Sequence, residues 1–297
     1  MVVPEQALRW VCSAVGPGSR ITGVRRLRLG GWHVNHAVDI LDLHDRLHRL
    51  VLRRWARPGW EIQDPDYTVE RETRVLRLLE PTPVPAPVLV SSDPSGVRCG
   101  VPAMLITRLP GHPPAGEDIS GADSCRRLAQ ALAQIHRVDD TAVNLAPVRL
   151  YYDRARAAPT AWMPASGVWR RAISAVREPP PASTWALIHR DFHPENTLWS
   201  AGRITGVVDW TQASSGPPAL DLGHMRWNLV LDHGPVVADR FLRCYRTATG
   251  DSPAHQSYWD LVSLFDLLLD QDAPGDLGPD DLRRLEDYAT TLLADLD

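Results

Sequence analysis

Two carboxylates and an amide at set spacing constrain this chain more than anything else in it. Leu187-Ile188-His189-Arg190-Asp191-Phe192-His193-Pro194-Glu195-Asn196-Thr197-Leu198-Trp199 is followed by Gly206-Val207-Val208-Asp209-Trp210. Asn196 stands five residues after Asp191, and Asp209 thirteen after Asn196. An aspartate is compact and ionised at neutral pH, which suits a base touching an attacking hydroxyl. Asn and Asp also supply the oxygen donors that Mg²⁺ prefers, and that cation usually takes only one or two ligands from protein.

His-x-Asp-x-x-x-x-Asn with a later Asp is the catalytic-loop order of phosphoryl-transfer enzymes of the protein-kinase type. The segment resembles the aminoglycoside phosphotransferase/choline kinase family, the small-molecule branch of the kinase-like fold. By that resemblance Asp191 accepts the proton of the substrate hydroxyl, and Asn196 and Asp209 bind Mg²⁺. The family often has Gly where this chain has Arg190. Gly216-Pro217-Pro218-Ala219-Leu220-Asp221-Leu222-Gly223 resembles the family's Gly-Pro-x-x-x-Asp segment, whose Asp, here Asp221, braces the catalytic loop together with His189. Only eleven residues lie between Asp209 and Asp221, and no Ala-Pro-Glu follows. There is no room for the activation loop of a protein kinase, so the expected acceptor is a small molecule. A competing reading takes His189-x-Asp191 with His224, His233 or His255 as a facial triad for non-haem iron. That site belongs in a jelly-roll barrel, and everything after Asp221 reads helical.

At 297 residues the chain can form two lobes with a sizeable core. A net charge of −4 argues against a nucleic-acid partner. No apolar run approaches membrane-spanning length, and the first residues do not read as a signal peptide. Cys12, Cys99, Cys125 and Cys244 are too scattered for a zinc site or a disulfide framework. Cytoplasm is the expected compartment; oligomeric state is not legible. All 32 basic residues are Arg, so no lysine can grip a nucleotide's phosphates.

Residues 4–15 read as an amphipathic helix, with strand-like runs at 21–29, 33–41 and 46–55. Gly30-Gly31 lies between the first two, where the family's turn covers the phosphates. Arg49-Leu50-Val51-Leu52-Arg53-Arg54-Trp55 occupies the place of the strand that carries the family's phosphate-binding Lys. Alternation puts Val51 and Arg53 on one face and Leu50, Leu52 and Arg54 on the other; the match selects Arg53. The helix at 66–79, capped by Asp64 or Asp66, carries Glu72 on its apolar stripe. A carboxylate there needs a partner, and the resemblance supplies Arg53. Strands at 84–90 and 101–106 end the first lobe. The resemblance then makes 107–111 the hinge, with the Thr107 carbonyl and Leu109 N–H on adenine and Ile106 as gatekeeper.

The second lobe reads as helices near 121–137, 151–158, 166–176, 219–231, 236–247, 254–270 and 279–295. From Asp260 to Asp297 there are eleven carboxylates against Arg283 and Arg284. Asp266 and Asp270 are the ones expected to face a pocket and meet a cationic acceptor. The sequence therefore predicts an α+β, two-lobed, protein-kinase-like chain. It comprises a nucleotide-binding lobe at 1–106, a hinge at 107–111 and a catalytic, acceptor-binding lobe at 112–297. The expected reaction moves the γ-phosphoryl of Mg-ATP or Mg-GTP to a hydroxyl of an antibiotic or natural product of aminoglycoside-like character. A metabolic amino alcohol or sugar is the alternative acceptor, and a non-catalytic nucleotide-binding protein is the alternative role.

Overall fold

The computed structural model describes residues 3–27, 33–57, 67–114, 119–139, 145–164, 166–251, 255–269 and 273–297. Gly30, Gly31, Asp64, Asp66 and Asp270, singled out in the sequence, lie outside these residues. The chain divides into two units. One holds residues 1–112, 198–200 and 205–212; the other holds 113–197, 201–204 and 213–297.

The first unit is built on a five-stranded antiparallel sheet. Its strands are β1 (Arg20–Arg26), β2 (Val34–Leu41), β3 (Leu47–Arg54), β4 (Leu89–Asp93) and β5 (Ala103–Thr107), in the order β1-β2-β3-β5-β4. β3 is central, paired through Asn35↔Arg53 on one side and Arg53↔Met104 on the other. Helix α1 (Glu5–Val15) buries Ala7, Trp10 and Val11 against Val38, Ile40, Leu50, Leu52 and Leu105. Those residues lie on one face of the sheet because strand side chains alternate. Helix α2 (Val69–Leu79) begins at Thr68, whose hydroxyl accepts from the Arg71 N–H at 3.2 Å. The cap is therefore a threonine nearer the helix than the aspartates expected. The strand expected at 84–90 forms only from Leu89, because Pro85 and Pro87 cannot donate to a ladder.

In the second unit a short pair, β6 (Ala186–Ile188) and β9 (Ser214–Gly216), is antiparallel. Its described helices are α3 (Ala122–Ile135), α4 (Gly167–Arg177), α5 (Pro218–His233), α6 (Pro235–Thr249), α7 (Gln256–Leu268) and α8 (Pro279–Ala294). α5 packs between α6 and α7. The approach to α7 requires Gly223, since a Cβ there would lie 2.9 Å from the Trp259 carbonyl oxygen. The helix expected at 151–158 is only a 3₁₀ turn at Arg154–Arg156, capped by Asp153. That side chain bonds the Ala155 N–H and favours a turn over a longer helix. From Pro218 onward the regular structure among the described residues is helical, with none of the strands an iron-binding barrel would need. The hairpin β7 (Thr197–Ser200) and β8 (Arg203–Val207) joins the loop after β6 to the segment carrying Asp209. No helix among the described residues is long and apolar enough to cross a membrane.

Candidate active site

In the first unit a buried cation organises the candidate nucleotide residues. Arg53 projects from central β3, and its Nε lies 3.2 Å from Glu72 Oε2 on α2, with side chains 6% and 2% exposed. The sequence pairing of these two is therefore met in the structure. Three further partners were not foreseen. Arg53 Nη2 donates to Asp209 Oδ1 at 2.5 Å and to the Thr211 hydroxyl oxygen at 2.6 Å. The Thr211 hydroxyl lies 2.7 Å from Asp209 Oδ1 and 3.4 Å from Glu72 Oε2. Nη2 also lies 3.0 Å from His33 Nδ1. Burial and the adjacent guanidinium depress the His33 pKa strongly, so the ring stays neutral and can accept. Burial lifts Glu72 to about 7, even though Arg53 pulls it down.

Thr211 carried a weak signal, standing two residues beyond Asp209, but nothing in a linear pattern marks a hydroxyl as the hub of an ion cluster. Asp209 has φ +65°, the left-handed region that L-residues enter only where the surroundings compel it. Its side chain keeps 26% exposure while one oxygen is held by Arg53.

Arg54 is buried on the opposite face, in the row of Leu50 and Leu52. Among the described residues its Nε and Nη1 have no hydrogen-bond partner. It is therefore not a solvated charge at the sheet surface. Thr107 ends β5, its N–H donating to the Val88 carbonyl and its hydroxyl oxygen accepting from the Val88 N–H, each at 2.9 Å. Ile106 is buried beside Val51. Leu109 packs so closely on Gly206 that a Cβ there would come within 2.6 Å of Leu109 Cδ1.

In the second unit the loop after β6 holds its shape through Asp221. That carboxylate accepts the His189 N–H and the Arg190 N–H, both at 2.7 Å, and lies 3.1 Å from His136 Nε2. His136 in turn meets the Tyr245 hydroxyl at 2.8 Å. Burial would raise Asp221, but the His136 contact and these donors outweigh it and hold the carboxyl below its ordinary value. His189 is fully buried, and its Nδ1 accepts the Asp191 N–H at 3.3 Å.

Arg190 has φ +76°, which explains why glycine suits this position. Its side chain turns inward. Nη2 bonds Asp266 Oδ2 at 2.6 Å and the Arg149 carbonyl oxygen at 3.1 Å, and the guanidinium lies over the Tyr151 ring. Asp266 Oδ1 accepts the Tyr151 N–H at 2.9 Å. The expectation that Asp266 faces a pocket fails here: this carboxylate is buried and committed to Arg190. Asp260 is likewise buried with Arg226, Gln256 and Tyr288. The C-terminal acidity is thus partly spent inside the unit.

Asp191 stays 26% exposed. A 3₁₀ turn at Pro194–Asn196 folds Asn196 back, so its Nδ2 donates to Asp191 Oδ2 at 2.9 Å and to the Asp191 carbonyl oxygen at 2.8 Å. Oδ1 faces His224 Nε2 at 3.2 Å and His193 Nε2 at 3.8 Å. Burial acts to raise this carboxyl. The His224 hydrogen bond and the electrostatic influence of His224, His193 and His189 prevail and hold it well below the usual carboxylate range. It is therefore ionised at neutral pH. The donor chemistry of the two metal candidates suits Mg²⁺. Asn196 turns its amide nitrogen onto Asp191, which leaves its oxygen as a potential donor, and Asp209 offers a partly exposed carboxylate.

The chain matches the phosphotransferase enzyme family over residues 28–258. The protein belongs to that family. Among solved structures it is similar to a candidate aminoglycoside phosphotransferase from Ralstonia eutropha, at 17% identity and TM-score 0.67, covering 97% of both chains. It is similar too to macrolide 2'-phosphotransferase MphH from Brachybacterium faecium, at 22% identity and TM-score 0.63, covering 97% of this chain and 98% of the other. A thermostable mutant of aminoglycoside phosphotransferase APH(4)-Ia, solved with ADP and hygromycin B, aligns at 13% identity and TM-score 0.60 over 97% of each chain. These likenesses establish the kinase-like α+β fold. Among curated sequences, acyl-CoA dehydrogenase family member 10 of Mus musculus is 25% identical over 244 residues, 75% of this chain. The chain spans 22% of that relative's length.

Proposed function

We propose that the protein transfers the γ-phosphoryl group of Mg-ATP to a hydroxyl of a small antibiotic or natural product. The observation that carries this reading is Asp191: an ionised, partly exposed carboxylate, held by Asn196 and His224, in a loop whose backbone is tied to Asp221. Such a group can orient an acceptor hydroxyl and take its proton as the oxygen attacks phosphorus. Asn196 and Asp209 would hold Mg²⁺, which neutralises charge on the phosphates when bound. Arg53 would align the phosphates, with Glu72 and Thr211 fixing its position. Gly30-Gly31 would cover the phosphates, and Ile106, Thr107 and Leu109 would receive the adenine. The first lobe would be 1–106 and the second 112–297, joined at 107–111.

ATP is favoured over GTP because structural relatives were solved with ADP and AMP-PNP. Cytoplasm, where such nucleotides are abundant, is the proposed compartment. An aminoglycoside is the first acceptor to try. The internal pairing of Asp260 and Asp266 supports a second reading, an acceptor carrying few positive charges, such as a macrolide. Incubation with γ-labelled ATP and with γ-labelled GTP, each against an aminoglycoside and a macrolide panel, tests all of this. Label transfer to a hydroxyl of one panel member is the expected result. No transfer together with no Mg-nucleotide binding would remove the reading.

A further inference from the structure

Helix α5 meets the Asp191 loop at two points one turn apart. Asp221 and His224 stand at i and i+3, which puts both side chains on one face of the helix. Asp221 takes the backbone N–H groups of His189 and Arg190. His224 takes the side chain of the next residue, with Nε2 at 3.2 Å from Asp191 Oδ1. The first contact sets the path of the loop, and the second sets the rotamer of its carboxylate.

The imidazole is itself held in place. Its ring packs edge-on against Trp227, with centroids 4.9 Å apart, and the His224 carbonyl accepts from Asn228 Nδ2 at 2.9 Å. Gly223, immediately before it, lets α5 press close to α7. His193 lies farther from the same carboxylate oxygen, at 3.8 Å, and its ring centroid is 5.9 Å from that of His224. Asn196 restrains Oδ2. A carboxylate with Oδ1 on one donor and Oδ2 on another cannot rotate about its terminal bond, yet each oxygen keeps a further lone pair for an incoming hydroxyl.

We propose that His224 is a positioning residue, whose Nε2–H fixes the orientation of Asp191 for phosphoryl transfer. The inference rests on the phosphotransferase reading given above. On this reading His224 acts through Asp191, so its loss acts on turnover rather than on nucleotide binding. An ångström of misplacement at a reacting group can cost about a hundredfold.

The test compares wild type, His224→Phe, His224→Gln, Asp191→Asn and the His224→Phe/Asp191→Asn double variant. Release of label from γ-labelled Mg-ATP is followed with hygromycin B, kanamycin, erythromycin or water as acceptor, beside melting temperature. His224→Phe is expected to lower kcat by about ten- to a hundredfold, within the range set by misplaced reacting groups, while the ATP KM stays nearly unchanged. His224→Gln, which returns an N–H near the Nε2 position, should recover most of the loss. In the Asp191→Asn background the Phe change should cost nothing further. Wild-type kcat in His224→Phe overturns the proposal. So does a loss that moves KM and repeats in full in the Asp191→Asn background, which marks a structural role. If wild type releases no more label than Asp191→Asn, the phosphotransferase reading has failed. The melting temperatures then decide the contact: losses from the two single variants that simply add in the double variant overturn it.

Discussion

Arg190 Nη2 and Asp266 Oδ2 lie 2.6 Å apart, with side chains only 3% and 5% exposed. The pair ties the loop carrying Asp191 to the interior of α7, at a position where the Arg190 backbone is left-handed. Removing one member of such a pair strands a buried charge, which typically costs about 3–5 kcal/mol. Asp266→Ala should therefore lose roughly that much in urea unfolding. The Arg190→Gly/Asp266→Ala double variant should lose less than Asp266→Ala alone, because no charge is orphaned and glycine accepts φ +76° without strain. A double variant less stable than the single would refute this.

Arg53 and Arg54 are neighbours with opposite fates. Arg53→Ala should raise the ATP KM and lower kcat, and Arg53→Lys should restore part of each, since lysine keeps the charge but not the fork. Arg54 holds two nitrogens without partners among the described residues, so Arg54→Met should leave melting temperature unchanged or higher and leave KM unaltered. Steady-state kinetics beside thermal melts separate the two; a crippled Arg54→Met with silent Arg53→Ala would reverse the assignment.

Glu72 gives a pH signature. Burial raises its folded pKa to about 7 from an ordinary 4.5. Between these values the folded state binds more protons than the unfolded state, so stability falls as pH rises through that window. Glu72→Gln should flatten the fall. Urea midpoints at several pH values between 4.5 and 7 check the sign, and a wild-type curve that climbs there more steeply than the variant's would contradict it.

Asp191 and Asp209 should separate binding from turnover. Asp191→Asn is expected to keep Mg-ATP affinity and lose turnover by about 10²–10⁴. Asp209→Ala should weaken metal-dependent nucleotide binding, read by calorimetry with and without Mg²⁺. Equal nucleotide affinity in Asp209→Ala and wild type would strike Asp209 from the metal role.

The chain's order of residues determined a good deal by itself. The Asp191–Asn196–Asp209–Asp221 spacing and the carboxylate on the apolar stripe of α2 marked candidate residues because these depend on neighbours near in sequence; the family resemblance then selected Arg53 and paired it with Glu72. Tertiary structure decided what those residues touch. Thr211 entered the Arg53 cluster, Asp266 was drawn inward by Arg190, and His224 reached Asp191 across 33 residues of chain. A polar residue on a linear pattern shows a need for a partner, but only the packing of elements distant in sequence selects which partner satisfies it.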